Sequence, residues 1–282
     1  MSRRAATQIG LLFAHDLMSH RGGSLERVEN TLAAFRYSAQ QLKVPLLELD
    51  VQLTRDGQVV IFHDQNMERL TGIPNVRIQD YDYADLPPLL VRKELANVPG
   101  LTQERDATRI PLLEELLKEF PKYPMQIDVK TGPEELVVKV GRLLRKYERE
   151  NVTVWGSFRH PVNSCCHHHF PDIPLFFSFQ RALTSFALYH LGLGWIMTYY
   201  ESALILPDMW LFLRPGWFRY LNRHGISVIV FGSGSGSIND VAGWERVRAA
   251  GVNGICSDRP SLLQEWLETH PLAGVSDVRK QD

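Results

Sequence analysis

Leu46-Leu47-Glu48-Leu49-Asp50-Val51-Gln52 reads as a strand with two unlike faces. Strand side chains alternate, so Glu48 and Asp50 share one face while Leu47, Leu49 and Val51 take the other. Outward from this stretch, short β-rich runs alternate with helical patterns along the whole chain, as in βα units on a parallel sheet. Eight runs qualify: 16–19, 46–52, 58–62, 125–130, 152–155, 173–179, 227–231 and 254–257. The clearest helices are expected over 30–41, 112–120, 134–150, 241–250 and 261–269. Asn30 and Ser261 stand where a cap belongs, Pro111 and Pro133 suit a first turn, and Gly225 and Gly251 fall just past helix ends. Eight βα units predict an α/β fold of the (β/α)8 TIM-barrel type, with residues 1–282 as one domain. Residues 64–110 break the rhythm, with four prolines and no clean period, and are expected to form an insertion after the third strand. An open doubly wound sheet is the rival, but no G-x-G-x-x-G turn follows the first strand.

The composition narrows the function classes. With 31 basic and 32 acidic residues among 282 and a net charge of −1, the chain lacks the basic excess of a nucleic-acid binder. A hydrophobic share of 44% is enough for a large core. Three cysteines, two of them adjacent, form no disulfide framework and fit a reducing compartment. The apolar patch over 9–14 is too short for a signal peptide, so an intracellular protein, peripheral or membrane-associated at the cytoplasmic face or endoplasmic reticulum, is expected. Residues 182–200 contain no Asp, Glu, Lys or Arg and are rich in Leu and Tyr. Polar residues dilute the run below a spanning helix; it is read as lipid-facing at a membrane interface, with a buried core helix as the plainer reading.

In such a barrel, chemistry sits where strands end. Four consecutive strand ends carry titratable groups: His20-Arg21-Gly22-Gly23, Glu48-Leu49-Asp50, His63-Asp64 and Asp128-Val129-Lys130. Three carboxylates at one mouth repel one another unless a hard divalent cation such as Mg²⁺ or Ca²⁺ neutralises them, or unless Arg21 and Lys130 pair them in an ion network. His20 and His63 at neighbouring strand ends suit acid and base work, and Arg21 matches two phosphate oxygens at once. Metal, Arg and Lys around one point indicate a phosphate ester. Cys165-Cys166-His167-His168-His169 lacks zinc-site spacing and is read as a helix end or surface loop.

The order His20-Arg-Gly-Gly, Glu29-Asn30-Thr31, Leu47-Glu48-Leu49-Asp50-Val51 and His63-Asp64 resembles the glycerophosphodiester phosphodiesterase family. It looks most like the animal membrane-associated lysophospholipase D branch, through that order, the Arg109-Ile-Pro-Leu-Leu run and Asn151-Val-Thr-Val-Trp155. The resemblance implies that Glu48, Asp50 and Asp128 bind the metal, that His20 and His63 are the acid/base pair, and that Arg21 and Lys130 hold phosphate. Many members have Glu where this chain has Asp128. The implied reaction converts a lysoglycerophospholipid to lysophosphatidic acid and the head-group alcohol, by attack of a neighbouring glycerol hydroxyl on phosphorus and opening of the cyclic phosphate by water. Two other readings are a phosphodiesterase for soluble glycerophosphodiesters such as glycerophosphocholine, and a catalytically inactive lipid-binding relative. The family usually has a Trp-containing strand end with an Asn a few residues on. Here Phe231-Gly-Ser-Gly-Ser-Gly-Ser237 stands in that place, read as an engineered linker or else a natural phosphate-side loop, and the Asn has no clear counterpart. The animal branch also usually carries an N-terminal anchor; this chain is a short form, a truncated one, or relies on 182–200 for membrane contact.

Overall fold

Strand β2 (Leu46–Leu53) sorts its residues as the alternation requires. Leu47, Leu49 and Val51 join an apolar layer under the helices, whereas Leu46 joins Met18, Val154, Phe176 and Ile229 inside the barrel, on the face that carries Glu48 and Asp50. In the computed structural model, which describes residues 16–232 and 238–272, β2 lies between β1 (Leu17–Ser19) and β4 (Met125–Val129). The parallel order continues from β4 to β5 (Thr153–Gly156), and from β1 through β8 (Gly254–Ser257) and β7 (Ser227–Phe231) to β6 (Ala203–Pro207). Two parallel bridges, Trp155 to Leu175 and Phe176 to Ala203, close the ring between β5 and β6. Helices α1 (Leu32–Arg36), α2 (Glu68–Thr71), α3 (Leu113–Glu119), α4 (Glu134–Lys146), α5 (His160–His169), α6 (Phe179–His190), α7 (Pro215–Arg223), α8 (Val241–Ala249) and α9 (Pro260–Thr269) supply the connections.

The expected barrel is present, but two of its staves differ from the expected runs. The run 58–62 forms β3 (Val59–Ile61), which pairs antiparallel with β2 as a hairpin and does not join the ring. A parallel crossover needs a dozen or more residues, and the short turn through Asp56-Gly57, with Gly57 at φ 77, permits only a hairpin. The run 173–179 contributes only Leu175 and Phe176, because Ser178 accepts a hydrogen bond from Arg181 N and starts α6. The stave that restores the count is β6, whose Ala-Leu-Ile-Leu-Pro is a short apolar run without a helical or strand period to mark it.

Residues 64–110 follow β3 as an irregular segment with its own apolar cluster, including Phe62, Met67, Leu70, Ile78 and Leu101. Arg36 fastens the end of this segment to the barrel, reaching Asp106 at 3.1 Å and Glu119 at 2.5 Å. Gly225 and Gly251 adopt the left-handed conformation expected past helix ends. The caps differ: Thr31, not Asn30, accepts from Ala34 N, and α9 begins at Pro260, freeing Ser261 to donate to Glu26 at 2.6 Å. Among the described residues no helix is long and apolar enough to cross a membrane. The N-terminal patch and most of the Gly-Ser repeat lie outside the described residues.

Candidate active site

The chain leaves β1 through a turn that requires glycine at position 22. Arg21 sits at φ 52 and Gly22 at φ 78, where a Cβ on Gly22 would meet the Ala34 side chain at 2.8 Å. The turn aims Arg21 N at Glu48 Oε2 (2.7 Å) and the Arg21 guanidinium at Glu29 (2.9 Å). Glu29, Asn30 and Thr31 then act as a unit: Glu29 receives Arg21 and Arg69, Asn30 donates to Asp50 Oδ2 at 2.9 Å, and Thr31 caps α1. Asn30 is itself in the left-handed region at φ 58, which turns its amide toward the barrel.

Register places the remaining groups. Asp50 stands opposite Asp128 across the β2/β4 ladder, and Lys130 N bonds Val51 O just beyond it. The Lys130 ammonium lies 2.7 Å from Asp50 and 2.5 Å from Asp128. Glu48, Asp50 and Asp128 are all buried. Burial, then the neighbouring Asp50 charge, push the Glu48 carboxyl up to about 8. Burial acts on Asp50 too, yet Lys130 and Arg21 hold it well below the usual carboxylate range. Asp128 is raised by burial, partly offset by Lys130. The ion network foreseen as a rival to a metal therefore exists, but it is incomplete. Asp128 Oδ1 is buried without a hydrogen-bond partner, and so is Arg21 Nε, 3.4 Å from Asp50 Oδ2. An oxygen-only donor set with an orphaned carboxylate oxygen and one carboxyl driven toward its neutral form fits a hard divalent cation.

Both histidines are oriented by aspartates. His20 Nδ1 donates to Asp258 Oδ1 at 2.6 Å, leaving Nε2 on the pocket side, 3.9 Å from Glu48. Ser24 and Asn239 also donate to Asp258, the latter at 2.9 Å. His63 Nδ1 donates to Asp64 Oδ1 at 2.6 Å, and Arg69 holds the other Asp64 oxygen at 2.6 Å. These partners keep both aspartates well below the usual carboxylate range, against the upward push of burial. His20, Arg21, Glu48, Asp50, His63, Asp128 and Lys130 all line one cavity of about 150 Å³, with Met18, Phe158, Ile205, Phe231 and Cys256 on its apolar side. Sequence reasoning gave Asn30 only a cap and assigned no role to Asp64, Arg69, Asn239 or Asp258; Asn30 and Asp64 stood inside recognised motifs, and Asn239 lies past the Gly-Ser repeat, in the region where the family usually has an Asn.

Away from the mouth, α5 places Cys165 and His169 one turn apart, and with Glu134 of α4 their ligand atoms lie within 4.8 Å of one another. The helix-end reading of this stretch stands, though the fold adds a third ligand type that the adjacent run did not show.

The glycerophosphoryl diester phosphodiesterase family signature matches residues 20–262, from the first histidine of the mouth into α9. The chain belongs to that family. A human protein named lysophospholipase D GDPD1 is 33% identical over 274 residues, covering 89% of this chain and 85% of the relative. Human lysophospholipase D GDPD3 is 31% identical over 278 residues, 90% of this chain and 85% of its own. An Oleispira antarctica phosphodiesterase, solved in complex with the product sn-glycerol-3-phosphate, superposes with a TM-score of 0.69 at 22% identity, over 90% of this chain and 97% of its own. At that identity the structural likeness speaks for the barrel. The phosphodiesterase assignment rests on the family match and the relatives' sequences.

Proposed function

We propose that this phosphodiesterase hydrolyses lysoglycerophospholipids at a membrane surface, releasing the head-group alcohol and leaving lysophosphatidic acid. The observation that carries the reaction class is the single cavity in which two aspartate-held histidines face three buried carboxylates, one arginine and one lysine. Glu48, Asp50 and Asp128 would hold a divalent cation, Mg²⁺ or Ca²⁺, which when bound supplies Lewis-acid stabilisation of phosphoryl charge. Arg21 and Lys130 bind and orient the phosphate through fixed N–H donors. His20 and His63 move protons at Nε2, since Asp258 and Asp64 occupy both Nδ1 atoms.

The lipid substrate is supported by where apolar surface is left bare. Among the described residues, nine of the twelve large hydrophobic side chains standing exposed fall between Phe179 and Leu211, with Trp195 at 78% and Trp210 at 75%. Monomer surfaces rarely concentrate apolar area in this way without an apolar partner. Tyr189 and Tyr199 of the 182–200 stretch instead pack against the core, so only part of that stretch is offered to lipid. The two human relatives described above, both named lysophospholipase D, support this substrate.

The test is turnover of lysophosphatidylcholine and glycerophosphocholine, each with Mg²⁺, Ca²⁺ or chelator, using His20→Ala as the blank. Metal-dependent choline release from the lysolipid is expected. Preference for the deacylated diester would move the protein to soluble glycerophosphodiester turnover, and silence on both would leave a lipid-binding relative.

A further inference from the structure

A second cluster of ligating side chains stands apart from the barrel mouth. Cys165 and His169 lie one turn apart on α5, so their side chains leave the same face of that helix. Glu134 opens α4, the neighbouring helix, and its Oε1 lies 2.6 Å from His169 Nε2. The Cys165 thiol completes the group, and the sulfur, nitrogen and oxygen all lie within 4.8 Å of one another. Packing between the two helices fixes this meeting. Gly141 of α4 leaves room for the Phe170 ring just past α5, and Arg145 stands over the same ring at 4.9 Å while pairing with Asp172 at 2.7 Å.

These donors suit a different cation from the one that the mouth fits. Glu48, Asp50 and Asp128 offer oxygen alone, the choice of a hard ion, whereas thiolate and imidazole select the softer zinc-class ions. Around a tetrahedral Zn²⁺, with bonds of about 2.0–2.3 Å, ligand atoms stand about 3.3–3.6 Å apart. Donors already within 4.8 Å reach that spacing by side-chain movements of about 1 Å, and the exposed Glu134 can make its share by rotating.

We propose that Glu134, Cys165 and His169 form a second metal site, which takes a zinc-class divalent cation with water in the fourth position and clamps α4 to α5. The site is independent of the lysoglycerophospholipid reading. On binding, the thiol proton leaves to solvent and the His169 ring proton moves to Nδ1, so that sulfur, Nε2 and one Glu134 oxygen face the ion. Bonds to one ion then replace the single hydrogen bond that now joins the helices at this point.

The experiment titrates the untagged full chain with Co²⁺ in excess Mg²⁺, which fills oxygen donors at the mouth. Cys166 and Cys256 are buried, and Cys165 alone reaches the surface. A near-ultraviolet thiolate-to-cobalt band is expected, saturating at one equivalent and displaced by Zn²⁺. Cys165→Ser should abolish the band, while Cys166→Ala, Cys256→Ala and His168→Ala keep it. His169→Ala, and Glu134→Gln at an exposed position that folding tolerates, should each weaken Co²⁺ binding at least about tenfold. Zn²⁺ at about a hundredfold above its Kd should raise the melting temperature of the wild type by about 5 °C and that of Cys165→Ser by less than about 1 °C. No band in the wild type, or a band that survives Cys165→Ser, overturns the site. Loss of the band in Cys256→Ala would put the cobalt at the mouth and overturns it as well. A Cys165-dependent band without the melting shift upholds the site and overturns the clamp.

Discussion

The barrel mouth has two halves built on the same alternation but filled with different chemistry. The end of β1 and inward positions of β2 and β4 present His20, Glu48, Asp50 and Asp128; inward positions of β6, β7 and β8 carry Ile205, Phe231 and Cys256. In the first half polar and charged groups are tied to one another, Asn30 to Asp50, Arg21 to Glu29 and Glu48, Lys130 to two aspartates, while Asp128 Oδ1 and Arg21 Nε stay unpartnered. In the second half, side chains meet through ring and methyl contacts, as Phe158 does with Phe176 and Phe231. The difference shows how one fold can separate tasks. Charge must be pre-organised at short range where bonds to phosphorus change, while apolar area acts without direction and tolerates looser placement.

Substitutions should therefore cost far more on the first half. Removing the His20 imidazole, as in His20→Ala, should lower turnover by about 10²–10⁴-fold with an unchanged melting profile, whereas Phe231→Leu should cost less than about tenfold in steady-state assays. Near-normal turnover in His20→Ala would remove the contrast. Stability should follow the same divide. Lys130→Met removes the cation between Asp50 and Asp128 and should destabilise by about 3–5 kcal/mol in urea titration, against under about 1.5 kcal/mol for the volume-conserving Ile205→Leu. Equal losses would mean that the lysine contributes packing alone.

Acid should also act on the charged half first. Asp258 is held well below its ordinary value, because its bonds to His20, Ser24 and Asn239 outweigh burial, so its contribution is present above about pH 4 and is lost as pH falls toward its lower folded value. Asp258→Asn should flatten the fall of the urea midpoint below pH 4; a parallel curve would show that Asp258 adds no linked stability. The smallest effect on catalysis should come from the far end of the apolar stretch. Leu191→Ser with Trp195→Ser, both largely exposed, should weaken liposome sedimentation while changing glycerophosphocholine turnover by less than about twofold. Unchanged sedimentation would return that surface to ordinary solvent exposure.

How far the sequence could be read also differs between the halves. The polar half was legible because its residues stand at consecutive strand ends: the same seven side chains named from the sequence line one cavity. In the apolar half the runs 227–231 and 254–257 form β7 and β8 as read and 173–179 supplies Leu175 and Phe176, but Ala203–Pro207 escaped, because its apolar composition suits a strand or a buried helix equally. Eight units were counted only because β3, a hairpin partner outside the ring, stood in for the unseen β6.

By itself, the sequence determined the alternation, the turn that needs Gly22, the strand-end chemistry and the resemblance to the family, since each depends on neighbours within a few residues. Only the tertiary structure decided what distant segments share. It joined Asp258 and Asn239 to His20 across more than two hundred residues, stood Lys130 between two aspartates, and set Glu134 beside Cys165 and His169. It also divided the apolar stretch between core and surface. Such pairings arise from closing a barrel, which brings the first and last strands side by side, and no local pattern in the chain records which residues will then face each other.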